Sequence, residues 1–220
     1  MIQLEHVMFA PANNQNSAPI LDNISLTIKA GETCILSGAS GSGKSTLLAI
    51  IGGLTRPCSG LVLINQAAIS KMPDYHASRL RQQTIGFIFQ QFNLFDELTV
   101  LENIRTALVP VKDTTGAEQR INRYLELVSL SHKKNAFGKD LSGGEKQRCA
   151  IVRSLVNSPT LLLADEPTAN LDRANSILII ELLQWLSKQG VTLLIATHDP
   201  LFASLMPDAT VLHIEQGKLR

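Results

Sequence analysis

Residues 38–46 read GASGSGKST, and they constrain this chain more than any other stretch. Gly38, Gly43, Lys44 and Ser45 fill the pattern G-x-x-x-x-G-K-[ST]. The segment before it, Thr33–Ser37 (TCILS), is short, apolar and bounded by glycines, as a buried strand is. The segment after it, Lys44–Ile51, has helical composition and stops at Gly52 and Gly53. A strand, a glycine-rich turn and a helix in that order form a phosphate cradle. The glycines let the backbone of Gly38, Ala39, Ser40, Gly41, Ser42 and Gly43 curl so that several N–H groups point inward. The helix start at Lys44, Ser45 and Thr46 adds partial positive charge. The Lys44 ammonium neutralises β- and γ-phosphates, and the Ser45 hydroxyl offers a ligand to Mg²⁺. Chance supplies ~0.01 such matches in a chain of this length, so a plain flexible turn does not account for it.

A second apolar run, residues 161–164 (LLLA), ends in Asp165 and Glu166. A parallel-sheet strand delivers its C-terminal residues to the edge where ligands bind. There Asp165 would hold Mg²⁺ and Glu166 would polarise an attacking water. Strand signals also cover residues 2–9, 20–28, 61–64, 85–89, 191–197 and 210–214. Residues 10–19 read as a polar loop. Helical patterns cover 75–82, 116–129, 143–157 and 172–188, the last with Gly190 as its C′ residue. Thr99 and Glu102 form a capping box ahead of a helix that stops by Pro110. Asp199 and Pro200 read as an N-cap and the first residue of another helix. Strands alternate with helices at both ends, which predicts an α/β fold with a mostly parallel sheet covered by helices. The middle, about 91–157, is helical, which predicts a helical subdomain inserted into a core of 1–90 and 158–220. The whole chain, 1–220, reads as one domain.

The chain has 220 residues, with 20 Lys+Arg against 19 Asp+Glu. That balance argues against a dedicated nucleic-acid binder and against a polybasic membrane anchor. No apolar stretch approaches the roughly 18–20 residues of a membrane span, and the N-terminus lacks the marks of a signal peptide. A cytoplasmic setting is expected. Cys34, Cys58 and Cys149 are far apart and form no CxxC pair, so neither a zinc site nor a disulfide framework is expected.

Residues 141–148 read LSGGEKQR. Ser142 and Glu145 have capping-box spacing. Two glycines in the first turn, Gly143 and Gly144, each cost about 1 kcal/mol relative to alanine, so capping alone does not explain them. Close approach of an anion to the N–H groups and the Ser142 hydroxyl does.

With this element the sequence resembles the ATP-binding cassette (ABC) ATPases. LSGGE is similar to their signature, with Glu145 where many members have Gln. Gln90, in FIFQ, resembles the Q-loop glutamine. Asp165 and Glu166 resemble the Walker B pair, Ala169-Asn170-Leu171-Asp172 the D-loop, and His198 the switch histidine. The phrases GASGSGKSTLL, IGFIFQQFNL, LSGGEKQR and LLADEPTANLD place it nearest the lipoprotein-release, macrolide-export and cell-division branch.

The resemblance implies a P-loop NTPase fold with an N-terminal antiparallel β part. It implies ATP and Mg²⁺ as ligands, with Ser45, Gln90 and Asp165 around the metal. It gives Lys44, Gln90, Glu166 and His198 catalytic roles. Two copies would pair head to tail, so that Ser142, Gly143, Gly144, Glu145 and Asp172 complete the partner's ATP site. The second partner would be a separately encoded integral membrane permease, which would hold the chain at the cytoplasmic face of the cell membrane. The alternative is a cassette that signals mechanically through a membrane partner without moving cargo. The family's adenine-stacking aromatic aligns near Pro11, with Phe9 as the nearby candidate. A GTPase or small-molecule kinase fits less well, since no N-K-x-D motif is present and LSGGE would be unexplained.

Overall fold

The computed structural model describes residues 1–11, 18–109, 111, 114–169 and 171–220. Most of the loop expected over 10–19 lies outside them, as do Pro110 and Asn170. In chain order the strands are β1 (Ile2–Phe9), β2 (Leu21–Ile28), β3 (Thr33–Ser37), β4 (Ser59–Ile64), β5 (Ile85–Ile88), β6 (Leu161–Asp165), β7 (Thr192–Ala196), β8 (Thr210–Glu215) and β9 (Lys218–Leu219). The helices are α1 (Lys44–Ile51), α2 (Asp74–Thr84), α3 (Val100–Arg105), α4 (Ala117–Leu127), α5 (Gly143–Leu155), α6 (Arg173–Lys188) and α7 (Leu201–Leu205). Helix α5 ends two residues before the expected Asn157. Ser158 takes a positive φ of 52°, and Pro159, lacking an N–H, cannot continue a helix.

A three-stranded antiparallel sheet has the order β2-β1-β4. The main sheet has the order β5-β6-β7-β3-β8-β9, parallel up to β8 and closed by the antiparallel β9. Its central strands are buried on both faces, which is why TCILS, LLLAD and TLLIA are continuously apolar rather than alternating. Side chains still alternate between two cores. Leu161, Leu163, Leu194 and Ala196 face α1 and the antiparallel sheet. Leu162, Ala164, Leu193 and Ile195 face α5 and α6.

Between β5 and β6 the chain makes α3, α4 and α5, with short 3-10 turns among them. The Thr99–Glu102 capping box starts α3 with both reciprocal bonds formed. Ile104, Ile121 and Leu125 of this segment belong to the same hydrophobic cluster as Leu162 and Ile195 of the sheet. Helix α5 carries that continuity, since it packs on α3, α4 and β5.

Burial also sorts the thiols. Cys34 and Cys149 are buried and Cys58 is exposed. Burial pushes both buried thiols up to about 12, because it disfavours the thiolate. The thiolate is the reactive form, so these two gain reactivity only as pH rises toward that value. Near pH 8 a disulfide reagent should modify one thiol rapidly in the native protein and three after denaturation. Spectrophotometric counting of released thiolate checks this, and two or three fast thiols in the native protein would contradict the burial described.

Candidate nucleotide-binding site

Four neighbouring parallel strands end on one edge of the main sheet. In register, Ile88 of β5 lies opposite Ala164, Asp165 of β6 opposite Ala196 of β7, and Ala196 opposite Leu36 of β3. The residues just beyond are therefore level with one another. They are Gln90 after β5, Glu166 after β6, His198 after β7 and the 38–43 loop after β3. Residues separated by more than a hundred positions meet because the ladder brings strand ends together.

Between β3 and α1 the loop needs glycine at two points. Gly38 (φ 155°) would drive a Cβ to 2.3 Å from the Ile214 carbonyl oxygen. Gly43 (φ 106°) would drive one to 2.8 Å from a Leu21 methyl. Gly43 caps α1; among the described residues no side chain accepts from the N–H groups at this helix start, and its first turn holds no acidic residue. The helix dipole and free donors are thus left to an external anion. The Lys44 ammonium is buried and donates to the Gly38 (2.7 Å) and Ala39 (3.0 Å) carbonyls. It lies 3.9 Å from Glu166 Oε1.

A cavity of about 330 Å³ is lined by Ser40, Gly41, Gly43, Lys44, Ser45, Thr46, Gln90, Glu166 and His198, together with Ile20. Ser45 Oγ donates to Asp165 Oδ1 at 3.0 Å at its base. A ring nitrogen of His198 (Nδ1) is 2.8 Å from Glu166 Oε1. Burial raises the Asp165 carboxyl from its ordinary value, with the Ser45 hydrogen bond opposing and Glu166 adding to the rise. A cation beside it would favour the charged form. The hydroxyl of Ser45, the carboxylate of Asp165 and the amide oxygen of Gln90 are hard oxygen donors. Mg²⁺ is held by oxygen donors that include one or two carboxylates and completes its octahedral shell with phosphate and water, so these residues fit it.

The remaining sequence candidates lie elsewhere. Ser142 caps α5, accepting from the Glu145 N–H, while Glu145 Oε2 accepts from the Ser142 N–H at 2.8 Å. Ser142 and Gly143 are exposed and Gly144 is buried. A Cβ on Gly144 would fall 2.6 Å from Asn175 Oδ1. Packing against α6 thus gives the second glycine a structural reason beside the expected approach of a ligand. Asp172 caps α6 and accepts from Asn175 N and Nδ2 at 2.8 and 2.9 Å. The Asn175 backbone N–H, joined by its side chain, holds the Asp172 carboxyl below the usual range. Asn175 Oδ1 in turn accepts from Arg148 of α5 at 2.8 Å. None of Ser142, Gly143, Gly144, Glu145 or Asp172 lines the cavity.

Neither Phe9 nor Pro11 lines the cavity, whereas Ile20, bonded through its N–H to the Phe9 carbonyl, does. Phe9 packs against the N-terminal hydrophobic cluster. Sequence reasoning missed Asn175, three residues after an N-cap aspartate, and Gln147, a polar residue on the inner stripe of α5. Those positions were the available signals.

The chain is similar to known proteins in sequence and in fold. Residues 21–169 match the ABC transporter domain family. The chain is 39% identical over 222 residues to the lipoprotein-releasing system ATP-binding protein LolD of Xanthomonas euvesicatoria pv. vesicatoria (strain 85-10), covering 100% of this chain and 90% of that protein. It is 40% identical over 201 residues to the macrolide export ATP-binding/permease protein MacB of Campylobacter jejuni subsp. jejuni serotype O:2, covering 91% of this chain and 31% of that protein. In structure it is similar to an ATP-binding cassette solved as a dimer in a post-hydrolysis state with ADP and Pi. The TM-score is 0.91 at 35% identity, over 100% of this chain and 97% of that one.

The capping box yields a pH-dependent prediction. The Ser142 backbone N–H lowers the Glu145 carboxyl from its ordinary value. A carboxyl lowered in the folded state adds stability above its unfolded value, and that stability is lost as pH falls through the folded one. Glu145→Gln should therefore melt slightly below wild type at neutral pH, and the gap should close in acid. Thermal melts across pH test this; a gap that widens in acid would reverse the sign.

Proposed function

The chain belongs to the ABC transporter family, and on that premise we propose that it is the ATP-hydrolysing subunit of a transporter whose permease is a separate polypeptide. It works as a head-to-tail pair with a second copy of itself. The observation that carries this reading is the division of the functional residues. P-loop residues, Glu166, His198 and Gln90 line one cavity, and Asp165 is bonded to Ser45 of its lining, while Ser142 and Gly143 stand exposed at the start of α5, outside it. A signature turned away from its own cavity suits a site completed by another copy.

In this reading the 38–43 loop and the start of α1 surround the phosphates with N–H donors. Lys44 neutralises the β- and γ-phosphates by adding its ammonium to them. Ser45, Asp165 and Gln90 would hold Mg²⁺, which when bound neutralises phosphate charge and fixes its geometry. Glu166 orients the attacking water and accepts its proton, and His198, in contact with Glu166, steadies that carboxylate at the rim. Ser142, Gly143 and Gly144, with the dipole of α5, would bind the partner's γ-phosphate. Glu145 braces that turn, and Asp172 fixes the start of α6 beside it. The γ-phosphate thus binds the paired state far better than the separated one, and its hydrolysis releases the pair.

A groove of about 410 Å³ on the far side of β5 is lined by Arg81, Phe87, Phe89, Asn93 and Arg153, among others. Phe87 and Phe89 stack at 4.3 Å, and Arg153 Nη2 donates to the Phe92 carbonyl at 2.8 Å. Apolar faces with cationic edges, one residue from Gln90, suit a short amphipathic helix of the permease. No helix among the described residues is long and apolar enough to cross a membrane. We place the chain as a peripheral subunit at the cytoplasmic face of the cell membrane, held there by the permease.

Two substitutions test the shared site. Glu166→Gln should hydrolyse ATP at least ~100-fold more slowly and form a dimer that persists with ATP, measured by phosphate release and gel filtration. A variant that stays monomeric with full turnover contradicts it. Lys44→Ala should lose nucleotide binding by calorimetry; undiminished affinity would remove the P-loop from the site.

A further inference from the structure

We propose that Gln147 is a positioning residue for Glu166, holding the turn after β6 in the backbone shape that keeps the Glu166 carboxylate between Lys44 and His198. The inference rests on the role given to Glu166 above and concerns how that residue is kept in place.

Gln147 is 2% exposed and lies on the inner stripe of α5 with Gly144, Ile151 and Leu155. An amide at such a position costs stability unless it is hydrogen-bonded. Its Nε2 donates to the Pro167 carbonyl at 2.8 Å in a buried setting. Its Oε1 has no partner among the described residues. Half of the amide is thus left unsatisfied, and an apolar side chain of similar length would suit the stripe at least as well. Packing stability does not account for this residue.

The turn it reaches supplies the reason. Glu166 has φ 47°, in the left-handed region that non-glycine residues avoid. Such a backbone persists where the surroundings over-determine it, and it is concentrated at functional sites. The Glu166 N–H donates to the Ala196 carbonyl at 2.8 Å, and the Ala169 N–H donates to the Glu166 carbonyl at 3.0 Å. Those bonds tie the turn to the sheet and to itself. Thr168 Oγ1 anchors its far side by donating to Asp199 at 2.9 Å. Gln147 holds the carbonyl of Pro167, the residue directly after Glu166, and it does so from α5, the helix that starts at Ser142. Released from that bond, the 166–167 backbone can relax toward negative φ and carry the carboxylate off the 2.8 Å His198 contact.

The test is the steady-state kinetics of purified full-length protein carrying Gln147→Leu, beside wild type and Glu166→Gln. The variant should melt within a few degrees of wild type and keep the wild-type KM for ATP. Its kcat should fall roughly 10- to 100-fold, the loss expected when a reacting group is displaced by about an ångström. If the leucine variant melts far lower, Gln147→Met, unbranched and without a donor, repeats the comparison. A kcat within about twofold of wild type overturns the proposal. So does a rise in KM at constant kcat, and so does loss of the fold in both variants, which would make the residue structural. If instead Glu166→Gln itself turns over at the wild-type rate, the underlying role of Glu166 is what fails.

Discussion

The parallel ladder from β5 through β6 and β7 to β3 is the constraint on which the rest of this molecule depends. Each strand is too short and too apolar to be anything but interior. Pairing in register then fixes where every strand ends. Because Leu36, Ala196, Asp165 and Ile88 stand within one step of each other across the sheet, four unrelated loops open onto one edge. The 38–43 loop, Asp165, Glu166 and His198 come together as consequences of that edge rather than as separate inventions.

Electrostatics at the edge follows from burial. Lys44 is buried among carbonyls and near Glu166, so its charge has partners but not full neutralisation. Asp165 is raised by the same burial. An arrangement of one ammonium, two carboxylates and uncapped helix N–H groups is balanced best when a polyanion and a divalent cation enter together.

The LSGGE segment is attached differently. Helix α5 runs from the exposed Ser142 into the core that also holds Leu162 and Ile195. It touches the edge through side-chain amides, Gln147 to Pro167 and, through Arg148, Asn175 toward Asp172. Helix α5, which starts at the exposed Ser142, is therefore joined to the turn that carries Glu166. Glycine at 144 belongs to that joint, since any side chain there would collide with Asn175.

Much of this was legible in the residues themselves. The P-loop, the apolar runs ending in Asp165 and His198, and both capping boxes are local patterns. Local sterics and hydrogen bonding dictate them, so Thr33–Ser37 and Lys44–Ile51 are predicted to the residue. Strand order was not legible. Nothing in LLLAD or TLLIA says that β7 lies between β6 and β3, because apolar strands buried on both faces are interchangeable in composition. The Gly144–Asn175 contact, the Gln147–Pro167 bond, the left-handed backbone of Glu166 and the place of Ile20 in the cavity are long-range facts as well. The sequence determined which chemistry this chain carries, since that depends on side-chain types at fixed spacing. The tertiary structure decided which groups meet, because distance across a sheet is set by pairing and packing that no local pattern encodes.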